Sequence, residues 1–206
     1  MHTYYIHGAK GGSFATTFAA TLALLATQQN LNTAICTLEP DDMLNVLGVG
    51  RPANGFRITD NLAMPAFAYW RDVKEQIESW PDDEFDVVVV DAGTRVMERH
   101  EDATNVLLMR GCFLAACRVV RESANYLPFL DEWIFISEHG RALTSHDLVR
   151  ATGFGDPLST INVDSAAARV VDAGLMMSRL PAAHMPAAEM LLAKHARVLK
   201  PANQEV

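Results

Sequence analysis

Short apolar runs alternate along this chain with stretches whose apolar positions recur at helical spacing. The runs predict strands at Thr3–His7, Asn32–Leu38, Phe85–Val90, Asn105–Met109, Trp133–Ser137 and Leu158–Val163. The longer stretches predict helices at Thr16–Gln29, Tyr69–Trp80, Phe113–Asn125, Ser145–Thr152, Ser165–Ala173 and Ala187–Leu199. In the second of these, Trp70, Val73, Ile77 and Trp80 share one side, the stripe of a helix laid on a core. Phe85–Val90 is almost unbroken apolar sequence and ends in Asp91, the pattern of a strand covered on both faces. Strand and helix in alternation imply an α/β fold: a mostly parallel, twisted sheet with helices on both faces. Ligands of such sheets bind beyond the carboxyl ends of the strands, so the residues that follow strands are the ones to inspect.

Composition narrows the function classes. With 206 residues, half of them hydrophobic and 20% charged, the chain suits one domain with a sizeable core, expected over residues 1–199 with a polar tail at 200–206. No apolar run reaches the ~18 residues that span a bilayer, and the first residues lack the basic region of a signal peptide. Cys36, Cys112 and Cys117 form no CxxC pair, which fits a reducing cytoplasm, and the last two are expected in the core. The net charge of -8 gives no global attraction to nucleic acid. It leaves non-specific DNA contact to a local patch, and Arg110, Arg118 and Arg121 read as a solvated helix face.

The segment from His7 to Thr17 changes the picture. It follows the first strand, runs Gly8-Ala9-Lys10-Gly11-Gly12-Ser13-Phe14-Ala15-Thr16-Thr17 and opens a helix. Glycines let a backbone approach an anion closely, the amides of a helix N-terminus point at phosphate oxygens, and a hydroxyl in the first turn can hold magnesium. The alternative is a glycine turn with no ligand. Phe85–Asp91 adds a carboxylate at the end of an apolar strand, where it can hold magnesium through water beside such a loop. After the second strand, Glu39-Pro40-Asp41-Asp42 reads as a turn that opens a short helix, with Asp41 or Asp42 as its cap.

These residues resemble the deviant Walker A ATPases of the ParA/MinD family, whose loop reads Lys-Gly-Gly-x-Gly-Lys-Thr-Thr. The resemblance covers about residues 1–180 and is specific at Lys10–Thr17 and Phe85–Asp91. It implies that Lys10 is the signature lysine that reaches a nucleotide across a dimer interface. Gly11, Gly12, Ser13, Phe14, Ala15, Thr16 and Thr17 fall on the phosphate cradle, and Thr16 and Asp91 on the magnesium site. Glu39 falls on the aspartate that positions the attacking water, so Lys10 and Glu39 are the catalytic candidates. Asn162–Gly174, with Asp164 and Ser165, is similar to the family's segment near the adenine, and capping of the following helix by Asp164 or Ser165 explains it equally well.

The departures set the expected activity. Ala15 stands where the family has its loop lysine, which removes one charge-assisted bond to phosphate worth about 1.5–3 kcal/mol, or roughly tenfold to a hundredfold in affinity. Phe14 replaces a glycine, and a bulky residue is strained there if the position needs positive φ. The pilus-assembly branch of the family, CpaE/TadZ, is the nearest in reading alanine at the lysine position. The implied function is a nucleotide-dependent partition or positioning protein that binds ATP and Mg2+ weakly and is at most a weak ATPase. The alternative is a nucleotide-free pseudo-ATPase acting as a dimeric interaction protein. The implied partners are a second copy and an unidentified protein, with no stable membrane anchor. His7, beside the loop, reads as a packed histidine or a ligand contact, and no HExxH, GxGxxG or Gly-x-Ser-x-Gly motif competes.

Overall fold

A computed structural model describes residues 1–51, 57–65, 67, 69–81, 83–95, 97–98, 103–122, 124, 126–163 and 165–195. Its strands are β1 His2–Gly8, β2 Thr33–Thr37, β3 Arg57–Thr59, β4 Leu62–Ala63, β5 Val87–Gly93, β6 Ala103–Arg110, β7 Glu132–Glu138 and β8 Ser159–Val163. Its helices are α1 Ala15–Gln28, α2 Pro40–Leu47, α3 Trp70–Ser79, α4 Phe113–Arg121, α5 Ser145–Thr152, α6 Ser165–Asp172 and α7 Met185–Lys194. One eight-stranded sheet runs in the order β3-β4-β2-β5-β1-β6-β7-β8. Every pairing is parallel except β3 with β4.

The period of two along each strand divides the core. Tyr4, Ile6, Val87, Val89, Val106, Leu108, Ile134 and Ile136 face one side, where Phe18, Leu22, Met43, Val170 and Leu191 bring in α1, α2, α6 and α7. Tyr5, Val88 and Val90 face the other side and meet Val73 and Ile77 of α3. Leu107, Met109, Trp133 and Phe135 meet Ala115, Val119 and Leu148 of α4 and α5 on that same side. A sheet covered on both faces needs apolar residues at consecutive positions, which is why its strands read as unbroken runs. Helix α1 is buried nearly all round because it lies between the sheet and α7.

Several boundaries differ from expectation for local reasons. β5 starts two residues later than Phe85 and continues through Gly93, because Asp91 still pairs with Ile6 and Thr37. α2 is capped by Glu39 rather than Asp41 or Asp42: Pro40 fixes the first turn and places both aspartates inside it. The cap of α5 is Thr144, and a capping box with Asp147 decides the position. α4 stops at Arg121, and the rest of its expected span includes Asn125, which lies outside the described residues. α7 begins at Met185, and the expected continuation through Arg197, Val198 and Leu199 and the tail at 200–206 lie outside the described residues, as does Asp164. No helix among the described residues is long and apolar enough to cross a membrane.

Candidate functional site

β1 sits between β5 and β6, and the chain changes direction across the sheet at this strand. The crevice beyond its carboxyl end is the place where an open parallel sheet binds ligands. The glycine loop fills that end. Its first residues stay tied to the sheet, since the Ala9 amide donates to the Leu108 carbonyl at 2.9 Å. The loop then turns on itself: the Lys10 amide donates to Ser13 Oγ at 3.3 Å, and Gly12 takes φ 73°. Phe14 follows at φ 64° as the N-cap of α1. The amides of Ala15, Thr16 and Thr17 open this helix and have no carbonyl four residues back within it, so their dipoles face the crevice.

The cavity under the loop measures about 530 Å³. Its walls are the loop from Lys10 to Thr17, Gly8, the turn at Gly93-Thr94 that closes β5, and Arg110 at the end of β6. On the β5 side, Thr16 Oγ1 donates to Asp91 Oδ2 at 2.6 Å, and the Gly93 amide donates to Asp91 Oδ1 at 3.1 Å. Asp91 is only 5% exposed. Burial holds its carboxyl above the usual carboxylate range, while the Thr16 and Gly93 hydrogen bonds and the charge of Arg95 act to lower it. A hydroxyl and a carboxylate joined in this way form a hard-oxygen donor pair. They suit a divalent cation that keeps its waters and takes phosphate oxygens as further ligands. Among the described residues no group of three or more His, Cys, Asp or Glu is placed to hold a metal by itself.

On the β6 side, Arg110 Nη1 donates to the Gly12 carbonyl at 2.9 Å and Nη2 pairs with Glu138 of β7. Its guanidinium carbon stands 5.8 Å from the centre of the Phe14 ring. The structure corrects the grouping of Arg110 with Arg118 and Arg121 on a solvated helix face. Arg110 ends a strand, Arg118 donates to the Thr94 carbonyl and pairs with Glu122, and only Arg121 is fully outward. The signal was available, since Arg110 follows the apolar run 105–109 just as Asp91 follows 85–90.

The remaining expected residues are dispersed. Lys10 Nζ donates to the Gly11 carbonyl at 2.8 Å and lies at the rim. Glu39 is exposed, caps α2 with its backbone, and is not a wall of the cavity. Its neighbour Asp42 is the carboxylate whose charge reaches Asp91. His7 is packed: Nε2 contacts Asn105 Oδ1 at 3.1 Å and Nδ1 contacts the Arg95 carbonyl at 3.2 Å. Cys117 is exposed rather than in the core, and Cys112 is half-buried at the start of α4. The cradle therefore fits a phosphate by backbone and hydroxyl, while Ala15 brings no charge to it.

The fold matches solved structures. The fold is that of the MinD and ParA proteins. MinD of Aquifex aeolicus in its MinC:MinD complex superposes with a TM-score of 0.70 at 14% identity, covering 94% of this chain and 96% of that one. MinD of Pyrococcus horikoshii with Mg-ADP gives 0.70 at 16% identity, covering 97% and 98%. The ATP complex of a Cyanothece McdA variant gives 0.61 at 15% identity, covering 93% and 96%. No protein-family model matches the sequence, and no curated protein is a recognisable sequence relative. The likeness to MinD and ParA is thus one of fold.

Proposed function

We propose that the chain is a ParA/MinD-like partition or positioning protein that binds ATP with Mg2+ weakly and hydrolyses it slowly or not at all. The observation that carries this reading is the hydrogen bond from Thr16 to Asp91. It joins the first turn of α1 to the end of β5 directly beneath the glycine loop, where a phosphate-bound magnesium ion needs both. Gly11, Gly12, Ser13, Phe14, Ala15, Thr16 and Thr17 would face the phosphates, and Thr16 and Asp91 the ion. Two of the solved neighbours hold Mg-ADP and ATP, which supports this choice of ligand. Weak turnover follows from Ala15, since a loop without a cation loses charge stabilisation where it develops during phosphoryl transfer. Glu39, exposed at the cap of α2, is the candidate for positioning an attacking water.

The same reading gives Lys10 its role in trans. Its ammonium lies at the rim on Gly11, free to reach across an interface between two copies. The proposed assembly is a homodimer that meets an unidentified protein partner. Phe113 and Leu114, 73% and 70% exposed at the start of α4, put apolar surface on the molecule that a partner could cover. The net charge of -8 disfavours DNA as the surface. The proposed setting is cytoplasmic, with one domain over residues 1–199.

Phe14 favours a second reading, a nucleotide-free pseudo-ATPase that keeps the dimer face. Its half-buried ring borders the cavity and lies against Arg110, which closes part of the approach to the loop. Calorimetry with Mg-ATP separates the two. Measurable heat with saturation supports the nucleotide reading, and none at high concentration leaves the pseudo-ATPase.

A further inference from the structure

Arg110 has features that a structural ion pair does not need. It ends β6, on the opposite side of β1 from Asp91, so the mouth of the loop has a carboxylate on one flank and a guanidinium on the other. Its side chain is mostly buried, yet it forms part of the cavity wall. Its Nη1 is bonded to Gly12, a residue of the loop itself, and a Cβ on Gly12 would come within 3.3 Å of that nitrogen. Its Nε is buried with no hydrogen-bond partner among the described residues. Buried donors are nearly always satisfied, so an unmet one on a side chain that also lines a cavity is a donor that an incoming acceptor could satisfy once the side chain turns.

Its partner is also unusual. Glu138 is shared, pairing with Arg110 and, at 2.9 Å, with Arg141. If Arg110 turned toward the cavity, Glu138 would keep Arg141, so the move strands no charge. Cationic residues in the cavity wall are Lys10 and Arg110. Lys10 sits at the outer rim, and Ala15, at the start of α1, brings none.

The geometry points to Arg110 as a phosphate-binding residue of this cavity, a cation delivered from β6 that neutralises a polyphosphate lying on the glycine loop. This rests on the nucleotide reading above and adds the source of the charge. In the structure described, the guanidinium is latched to the Gly12 carbonyl. A bound phosphate competes with the Gly12 carbonyl for Nη1 and with Glu138 for Nη2, and offers an oxygen to Nε as the side chain turns toward the cavity. An arginine presents its donors as a fixed fork that suits phosphate oxygens.

The test is calorimetric titration of wild type, Arg110→Gln, Arg110→Lys and Glu138→Gln with Mg-ATP and, separately, with inorganic tripolyphosphate and magnesium. Arg110→Gln should bind both probes about tenfold to a hundredfold more weakly, the loss expected for one charge-assisted bond. Arg110→Lys should recover part of that loss. Glu138→Gln should bind several-fold more tightly, because it removes the carboxylate that competes with phosphate. A purely structural ion pair predicts the opposite sign for Glu138→Gln, so parallel losses in Arg110→Gln and Glu138→Gln overturn the assignment. It is equally overturned by Arg110→Gln affinities within twofold of wild type, or by a loss with ATP but not with tripolyphosphate. If wild type binds neither probe, the proposed function falls and the inference falls with it. Should Arg110→Gln not fold, the sign for Glu138→Gln and the affinity of Arg110→Lys decide.

Discussion

Burial raises the pKa of the Asp91 carboxyl, and the hydrogen bonds from Thr16 and Gly93 and the charge of Arg95 oppose that rise. The folded pKa of Asp91 is raised, so the native state holds this proton more firmly than the unfolded chain. The group's contribution to stability is greatest at low pH and is lost as pH rises through the folded value. At pH 7 an ionised Asp91 therefore destabilises the apoprotein, a common trade at binding sites. Asp91→Asn should raise Tm at pH 7 by about 2–4 °C, equivalent to about 1 kcal/mol, should do so less at pH 4, and should abolish any magnesium dependence of ATP binding. Calorimetric melts at the two pH values and titrations with and without magnesium check both halves. A lower Tm at pH 7 would mean that the carboxylate is instead a structural anchor.

His184 shows the opposite sign. It is buried between Thr21, Phe14 and Phe18, and burial pushes its pKa down to about 4. The unfolded chain binds its proton first, near pH 6.5, so the stability from neutral His184 is present above that value and is lost as pH falls toward 4. His184→Gln should remove this dependence. Urea midpoints at pH 8 and pH 4.5 should show the gap between wild type and variant shrinking by about 2–3 kcal/mol. His184 carried no sequence signal, because its burial comes from α1 packing on α7, a contact between residues more than 160 apart. Asp91 and the glycine loop were legible because each directly follows an apolar run. Arg110 obeyed the same rule but was hidden by two further arginines in sequence.

At the scale of elements, strands and helices with a full apolar run or stripe were legible, and those without one were not. β3 and β4 have three and two residues, too few to show alternation, and both sit at one edge of the sheet. Helix starts were legible even without a side-chain cap, as at Phe113, whose cap Cys112 makes no side-chain hydrogen bond, whereas the capping box of Thr144 with Asp147 needs the contact itself to be seen. Two helix ends meet in a way no local pattern encodes. Gly48, at the carboxyl end of α2, takes φ 74°, and a Cβ there would stand 1.7 Å from the Gly174 carbonyl oxygen, just after α6. Both walls of this contact are backbone, so neither yields easily. Gly48→Ala should lose about 2–5 kcal/mol from left-handed strain and overpacking together, and Tm should drop accordingly. Gly50→Ala, whose Cβ meets nothing within 4 Å, should change stability by about 0.5 kcal/mol or less. Equal losses in the two variants would show that the α2–α6 contact is not close in solution.

For the whole molecule, the arrangement of the sheet decides what the loop can do. Placing β1 between β5 and β6 brings Asp91 to one flank of α1 and Arg110 to the other, although both lie more than 70 residues away in sequence. The loop residues Phe14 and Ala15 are the points where this chain departs from the phosphate loop it resembles, and the structure gives each departure a physical measure. Phe14 holds φ 64°, a left-handed conformation that costs a non-glycine residue roughly 1–2 kcal/mol. Ala15 lines the cavity with a methyl group. The double variant Phe14→Gly/Ala15→Lys relieves the first and supplies a cation at the second, while it withdraws the ring from His184 and Arg110. Its stability should stay within about 1 kcal/mol of wild type, since strain relief and lost packing oppose each other. Its affinity for Mg-ATP should rise about tenfold to a hundredfold. If the loop also drives assembly, light scattering should show the double variant shifting from monomer to dimer on adding Mg-ATP, and Lys10→Ala in that background should prevent the shift without weakening binding to the monomer. Unchanged affinity in the double variant would place the phosphate elsewhere than on this loop. Higher affinity without dimerisation would separate nucleotide binding from assembly and leave Lys10 with no partner to complete.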